Sequence, residues 1–217
     1  MKALGFSRVR TVPWISVALI VLAGTTTAQA ESLSGAPLVE ELRHGGYVLV
    51  MRHAHSPSAV PSAGEAQPGN THLERQLDDA GRTAARGMGD AIKSLHIPIG
   101  TLLSAPTYRA LETARLVALR EPKTVAELGD GGVSMQAVQS SQSNWLRQRV
   151  AQRASQGTNT FIVTHWPNIS AAFGDDAEGV SDGETMIFLP QGKGDAKLVG
   201  RIKIDEWPNL AKQLAHG

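Results

Sequence analysis

Histidine and arginine residues at three places in this 217-residue sequence are the side chains best suited to chemistry. Arg52 is followed by His53, Arg109 lies near the middle of the chain, and His165 ends an apolar run. The planar fork of an arginine binds two oxygens of a phosphoryl group and keeps its charge near neutral pH. A neutral imidazole nitrogen attacks phosphorus, and a protonated histidine donates to oxygens on which charge develops. Two arginines and two histidines in one place would therefore form a phosphate site with a nucleophile in it.

Each of these basic residues lies at or shortly after a predicted strand. Three apolar runs contain no alternating polar residues, which is typical of strands buried on both faces. They cover 47–51, 101–103 and 160–164. Apolar residues at helical spacing lie between the strands, over 78–95, 106–119 and 143–154. Asp78 or Asp79 is expected to cap the first of these helices.

The alternation of strands and helices predicts the fold class. It favours a three-layer α/β/α sandwich with a mostly parallel central sheet. A final pair of segments, 185–189 and 198–204, is predicted to add an antiparallel hairpin at the edge. The carboxyl ends of parallel strands meet at one edge of a sheet, so we expect the basic residues to converge there.

The motifs and their order resemble those of the histidine phosphatase superfamily, also called phosphoglycerate mutase-like. The family's Arg-His-Gly opening corresponds to Arg52-His53-Ala54. Its Ser-x-x-x-x-Arg-Ala-x-x-Thr-Ala segment corresponds to residues 104–114, and its later strand ending in histidine to 162–165. The start of the first predicted helix, 79–84, resembles the family's helix opening. The resemblance covers nearly all of the chain after residue 30 and implies a phosphoglycerate mutase-like fold.

The resemblance also implies a role for each basic residue. His53 would be phosphorylated and then hydrolysed, with Arg52, Arg109 and His165 clamping the phosphoryl group. Four cationic or donor side chains would supply the charge that phosphoryl transfer needs, so we expect neither a metal nor a cofactor. His53 and His55 have the spacing of a metal pair, but the sequence offers no third ligand beside them. We expect His55 to be a loop residue lining the pocket.

The family needs a carboxylic acid that protonates the leaving oxygen. Glu127, in the segment Val-Ala-Glu-Leu-Gly, best fits its place after the arginine-containing helix. Asp130 and Glu112 remain alternatives, because one is close in sequence and the other lies one helical turn beyond Arg109. Arg75 is interpreted as a solvated residue, with reach to an anionic substrate as the alternative.

The first thirty residues have the pattern of a secretory signal peptide. Three basic residues and no acidic residue lead to an apolar run over 12–23, and Ala28-Gln29-Ala30 forms a cleavage site. An uncleaved membrane anchor is the alternative, but the run is short for a span and contains Pro13. We predict export to a bacterial periplasm, with 31–217 as one domain and no stable membrane span after cleavage.

Composition excludes several other classes of protein. The chain has 21 basic and 20 acidic residues, and without residues 1–30 it has 18 and 20, a net charge of −2. Neither charge balance favours binding to nucleic acid, and a 5% aromatic content offers no platform for stacking bases. Without cysteine the chain has neither disulfides nor thiolate sites.

The main functional hypothesis is an exported phosphatase that hydrolyses phosphate monoesters through a phosphohistidine on His53. A phosphomutase is the first alternative, and a non-catalytic module that binds phosphorylated envelope components is the second. The predicted partner is a small phosphorylated substrate such as an envelope sugar phosphate, selected by the loop over 56–76. The sequence leaves the physiological substrate, its regulation and the oligomeric state open.

Overall fold

The computed structural model describes Met1 and residues 33–118, 121–129 and 139–215. The chain divides into two units, 1–30 and 31–217, and every element named below belongs to the second. The predicted signal peptide, apart from Met1, lies outside the described residues. None of the helices in the described part of the chain is long and apolar enough to cross a membrane.

The described residues form one six-stranded sheet with the order β3-β2-β4-β1-β5-β6. The strands are β1 (Val48–Arg52), β2 (Ile99–Ser104), β3 (Lys123–Thr124), β4 (Asn159–Thr164), β5 (Thr185–Gly192) and β6 (Asp195–Ile202). Pairing is parallel from β3 through β2 and β4 to β1, whereas β5 is antiparallel to β1 and β6. The parallel pairing of the central strands and the antiparallel hairpin at the edge are therefore confirmed. Together they make the sheet a mixed one.

Six α-helices and two short 3₁₀ helices occur in the described residues. The α-helices are α1 (Gly35–His44), α2 (Asp79–Ser94), α3 (Tyr108–Ala118), α4 (Ser140–Val150), α5 (Trp166–Phe173) and α6 (Glu206–Ala215). The 3₁₀ helices are Ala126–Leu128 and Gly174–Ala177. Helix α2 packs against α3 and α6, and α4 packs against α5, which gives the two helical layers of a three-layer α/β/α sandwich. Helices α1, α5 and α6 add to the three that the sequence predicted.

Helix α2 begins where the sequence predicts, because Asp78 is its N-cap. The Oδ1 atom of Asp78 accepts a hydrogen bond from the backbone N–H of Gly81 at 2.7 Å. The buried face of α2 includes Gly81, Ala85 and Gly89, whereas Ala80 is exposed. Counting apolar side chains alone overlooks these glycines, which let other backbone approach the helix.

Strand register brings three chain segments to one edge of the sheet. Arg52 is paired with Thr164 across β1 and β4, and Ser104 with Val163 across β2 and β4. Each of these parallel strands therefore ends at the same height. The residues that follow the strands continue the pattern, since the His53 N–H donates to the Thr164 carbonyl at 3.0 Å. The expected convergence of strand ends is present.

Candidate active site

His53 follows β1 and is held by backbone bonds on both sides. Its N–H donates to the carbonyl of Thr164, and its own carbonyl accepts from Gly183 at 3.0 Å. The ring nitrogen Nδ1 lies 2.8 Å from the carbonyl oxygen of Ala54. A carbonyl only accepts, so Nδ1 carries the proton and Nε2 carries the lone pair. His53 therefore has the tautomer of a nucleophile at Nε2.

Arg109, on the first turn of α3, lies between the two histidine rings. Its Nε donates to Nε2 of His53 at 3.2 Å, and its Nη2 lies 3.2 Å from Nδ1 of His165. A guanidinium only donates, so both of these ring nitrogens act as acceptors. The centroids of the two rings are 5.2 Å apart, with the ring planes at 66°. Three residues of the cluster predicted from the sequence, His53, Arg109 and His165, are thus joined through Arg109.

His165 follows β4 and is the N-cap residue of α5. Because Nδ1 accepts from Arg109, the proton of the neutral ring is on Nε2. That nitrogen lies 3.1 Å from Oγ1 of Thr107, which accepts the bond. The two histidines of the cluster therefore hold opposite tautomers, each fixed by a different protein group.

Arg52 completes the cluster from the end of β1. Its Nη1 donates to the carbonyl of Val180 at 3.0 Å, and its Nη2 is 2.7 Å from Oδ1 of Asp182. Its Nε is buried and has no hydrogen-bond partner. A buried donor without a partner costs free energy, and an oxygen of a bound anion would satisfy it.

Thr113 ties the histidine loop to α3. Its Oγ1 accepts from the N–H of Ala54 at 3.1 Å and donates to the carbonyl of Arg109 at 2.8 Å. The hydroxyl thus fixes the peptide after His53 against the turn that carries Arg109. This contact gives a physical reason for a threonine four residues after the arginine.

Both histidines are neutral in this environment. The exposed fractions of His53, Arg109 and His165 are 5%, 4% and 1%, so the cluster is removed from bulk water. Burial, followed by the charges of His165, Arg109 and Arg52, holds the pKa of His53 well below its ordinary value. Burial, followed by the charges of three arginines, lowers the pKa of His165 in the same direction. Neutral rings at pH 7 fit a histidine nucleophile.

The loop between β1 and α2 is folded on itself and packed on α3. Asn70 is buried, and its side chain bonds both the N–H and the carbonyl of Glu74. The Glu74 carboxylate accepts from the backbone N–H of Tyr108 at 2.9 Å. The Tyr108 hydroxyl in turn donates to the carbonyl of Pro68 at 3.2 Å. These bonds fix the loop at the end of α3 that carries Arg109.

Arg75 is a site residue that the sequence interpretation undervalued. Its Nε donates to the carbonyl of Pro57 at 2.7 Å and its Nη2 to that of Ser56 at 2.8 Å. Its charge also lowers the pKa of His165, which places it in the electrostatic environment of the cluster. Arg75 is therefore half-buried and anchored rather than solvated. The only sequence feature that indicates this anchoring is that Arg75 lies three residues before the helix cap Asp78.

The predicted proton donor, Glu127, lies in the first 3₁₀ helix and is exposed. Its carbonyl accepts from Nδ2 of Asn168, three residues after His165, at 3.3 Å. The backbone of Glu127 is therefore fixed beside the start of α5. Asp130, one of the two alternatives, lies outside the described residues.

Glu112, the other alternative donor, has partners on α2 and the loop before it. Its Oε2 accepts from the N–H of Leu77 at 3.4 Å, and its Oε1 is 3.7 Å from Nη1 of Arg82. Burial raises the pKa of Glu112, which suits a proton donor. None of these bonds is to a residue of the histidine and arginine cluster.

His55 and Ser56 lie on the outer side of the same loop start. His55 is exposed, and its Nδ1 is 2.8 Å from Oδ2 of Asp78, the residue that caps α2. Ser56 is buried, and its hydroxyl makes only a long contact with the carbonyl of Pro57. In the part of the chain that the structure describes, no group of three or more metal-ligating side chains gathers. The structure therefore connects His55 with the helix cap.

Comparison with solved structures identifies the fold. The protein histidine phosphatase SixA complexed with tungstate matches with a TM-score of 0.52 and 16% sequence identity, over 74% of this chain and 98% of that one. The putative phosphohistidine phosphatase SixA from Agrobacterium tumefaciens matches with a TM-score of 0.48 and 17% identity, over 72% and 97% of the two chains. A putative alpha-ribazole-5'-P phosphatase from Escherichia coli matches with 0.48 and 15%, over 71% and 95%.

No model of a protein family and no curated protein matches this sequence. The identification therefore comes from the architecture, with the first of the three structures as its basis. The chain has the fold of the histidine phosphatase superfamily, the phosphoglycerate mutase-like fold. The fold that the sequence motifs implied is confirmed.

Proposed function

We propose that this protein is a phosphatase that hydrolyses phosphate monoesters through a phosphohistidine on His53. The observation that carries the proposal is the set of hydrogen bonds that orients the His53 ring. Its Nδ1 proton is bound to the Ala54 carbonyl, and its Nε2 lone pair faces Arg109, which also contacts His165. A nucleophilic nitrogen among fixed cationic and donor groups is the arrangement that phosphoryl transfer requires.

The first chemical step forms a bond between Nε2 of His53 and phosphorus. The bond between phosphorus and the ester oxygen breaks, and the alcohol leaves after taking up one proton. In the second step a water oxygen attacks phosphorus and the P–N bond breaks. Phosphate leaves, the water gives up one proton, and the neutral imidazole is restored. The proton on Nδ1 stays hydrogen-bonded to the Ala54 carbonyl throughout. The phosphorylated ring is cationic, and this carbonyl oxygen faces its positive charge.

The surrounding side chains stabilise the charge of the transferred group. Arg109 would release its two ring contacts to bind phosphoryl oxygens, and the unpartnered Nε of Arg52 would gain an acceptor. The N–H at Nε2 of His165 would donate its hydrogen bond to a phosphoryl oxygen instead of to Thr107. Donors already fixed in place contribute most in a site from which water is excluded. Glu127 is the proposed donor of the proton to the leaving oxygen.

Two aspects of the proposal extend beyond the catalytic step. The sequence of residues 1–30 supports export to the periplasm, which fractionation of cells producing the full chain would test.

An envelope sugar phosphate is the proposed substrate, and the exposed indole of Trp166, directly after His165, supports a substrate with a ring. One structural neighbour is the protein histidine phosphatase SixA, so a phosphohistidine peptide belongs in the same substrate panel.

Replacing His53 with asparagine tests the mechanism. We expect turnover of 4-nitrophenyl phosphate to fall by at least about a thousandfold, as for other removed nucleophiles. The matched control is His96→Asn, since His96 is exposed and has a positive φ that asparagine tolerates. Labelled phosphate should be trapped on the wild-type protein as an acid-labile adduct and be absent from the His53 variant.

Three results would contradict the proposal. Full turnover by the His53 variant would reject the nucleophile. Tight binding of vanadate without turnover of any ester would favour the non-catalytic module. Isomerised ester without free phosphate would favour the mutase. A lower rate on alkyl phosphates than on 4-nitrophenyl phosphate would report how much the proton donor contributes, because nitrophenolate leaves without protonation.

A further inference from the structure

A cavity lies in a groove between α4 and the edge of the sheet formed by β2 and β3. Its volume is about 370 Å³, within the range of small-molecule sites. Lys123 of β3 and Arg149 of α4 contribute cations, Gln148 a side-chain amide, and Trp145 and Val125 apolar surface. We call this cavity the α4 groove. None of its lining residues belongs to the histidine and arginine cluster.

Arg149 is the unusual residue of the α4 groove. Its Nη2 donates to Oγ1 of Thr160, a buried residue of β4, at 3.1 Å. Its Nη1 is buried and has no hydrogen-bond partner among the described residues. Within the same residues no carboxylate forms an ion pair with Arg149 or Lys123. In the part of the chain that the structure describes, the guanidinium is thus partly removed from water with no counter-charge.

The position of Arg149 in its helix does not account for this arrangement. Both Arg147 and Arg149 lie in the last turn of α4, where the helix dipole favours a cation. Arg147 extends to the carbonyls of Ala171 and Ala172 and is satisfied there. Arg149 instead points toward the sheet, where burial alone lowers its pKa. Burying a cation without an anion costs free energy, which an anionic ligand would recover.

We propose that the α4 groove is a second binding site, which takes a small organic oxyanion with an apolar body. The oxyanion pairs with Arg149 and Lys123, and the apolar body lies against Trp145 and Val125. None of the described residues that line the groove is acidic, so none of them opposes an anion. This site is independent of the proposed phosphatase chemistry, since it shares no residue with the catalytic cluster.

Benzoate is the test probe, and benzamide is its uncharged counterpart of the same shape. NMR of the purified protein would follow the indole N–H signal of Trp145, assigned through the variant Trp145→Phe. We expect a saturable shift with benzoate and none with benzamide. Arg149→Gln should weaken benzoate binding by about tenfold, the contribution of a typical hydrogen bond between charged groups. Arg153→Gln, which removes an exposed charge just beyond α4, should leave binding unchanged.

Thermal unfolding separates a binding role of Arg149 from a structural one. We expect Arg149→Gln to keep or raise the melting temperature, because it removes a partly buried charge that has no ion-pair partner among the described residues. Equal shifts with benzoate and benzamide would overturn the proposal, as would unchanged benzoate affinity in the Arg149 variant. A lower melting temperature together with unchanged affinity would assign Arg149 to structure alone. Turnover at His53 is expected to be the same in both variants.

Discussion

At the scale of single residues, Arg109 determines the protonation pattern of both rings. It donates to Nε2 of His53 and lies within bonding distance of Nδ1 of His165, so each ring is held in one tautomer. A lysine ammonium is a single point charge on a flexible stem and would not reproduce the planar fork between two acceptors. The nucleophile is therefore oriented by the same side chain that is expected to bind the phosphoryl group.

Arg75 acts on the cluster from the loop, and its replacement gives a prediction at this scale. Arg75→Gln removes a charge that lowers the pKa of His165, so that pKa should rise toward its ordinary value. We also expect kcat/KM for 4-nitrophenyl phosphate to fall about tenfold, as for one lost hydrogen bond from a charged donor, because the loop after His53 loses its anchor at Ser56 and Pro57. Steady-state kinetics and the NMR titration of the His165 ring would measure both effects.

The control for Arg75 is an arginine of similar chemistry that does not contact the loop. Arg86 is exposed on α2, and Arg86→Gln should leave both quantities unchanged. If Arg75→Gln changed neither the His165 titration nor kcat/KM, Arg75 would have only a structural role through its bonds to Ser56 and Pro57.

At the scale of elements, the start of α2 is in close contact with the loop that carries His53. A Cβ atom at Gly81 would lie only 2.2 Å from the carbonyl oxygen of His55. No side chain fits at that distance, so helix and loop would have to separate. The glycine therefore allows an approach that holds the catalytic loop against the N-terminus of α2.

Gly81→Ala tests this contact. We expect a destabilisation of about 1–3 kcal/mol, as for other overpacked sites, together with lower activity from the displaced loop. Gly87→Ala is the matched control in the same helix, because its Cβ would meet only Pro208 at 3.7 Å. That change should stabilise the protein by up to about 1 kcal/mol through helix propensity. Urea unfolding compares the two, and equal stabilities would show that the close approach is not required.

At the scale of the whole molecule, two buried neutral histidines make stability depend on pH. An unfolded histidine binds a proton below about pH 6.5, whereas the folded pKa of His53 and of His165 is lowered well below that value. The unfolded state therefore binds more protons in this range, so the free energy of unfolding must fall as pH falls. Each ring contributes a slope of up to about 1.4 kcal/mol per pH unit.

Urea unfolding between about pH 7.5 and about pH 5.5 measures this slope, in a window above the titration of ordinary carboxyl groups. Glu112 acts with the opposite sign, because burial raises its pKa and the folded state then binds more protons. The double variant His53→Gln, His165→Gln should show a flatter profile than the wild type. An unchanged slope in that variant would mean that the two histidines are not the source of the pH dependence.

The sequence by itself determined three buried strands, the edge hairpin and the residues that could form a phosphate site, whereas the two-residue strand β3 was not predicted. Apolar runs without alternating polar residues are typical of strands buried on both faces, and chain order then places Arg52, His53 and His165 at strand ends. These inferences need only periodicity and chemical type. They are local properties that any part of the chain carries with it.

Tertiary structure alone decided which hydrogen bonds these residues make. The tautomer of the His165 ring and the anchoring of Arg75 depend on a hydroxyl and on carbonyl groups from distant segments. Backbone groups are the same in every residue, so sequence cannot show which of them a side chain will meet. Gly81 is a further example. Its role depends on the carbonyl oxygen of His55, 26 residues earlier in the chain, which only folding brings close.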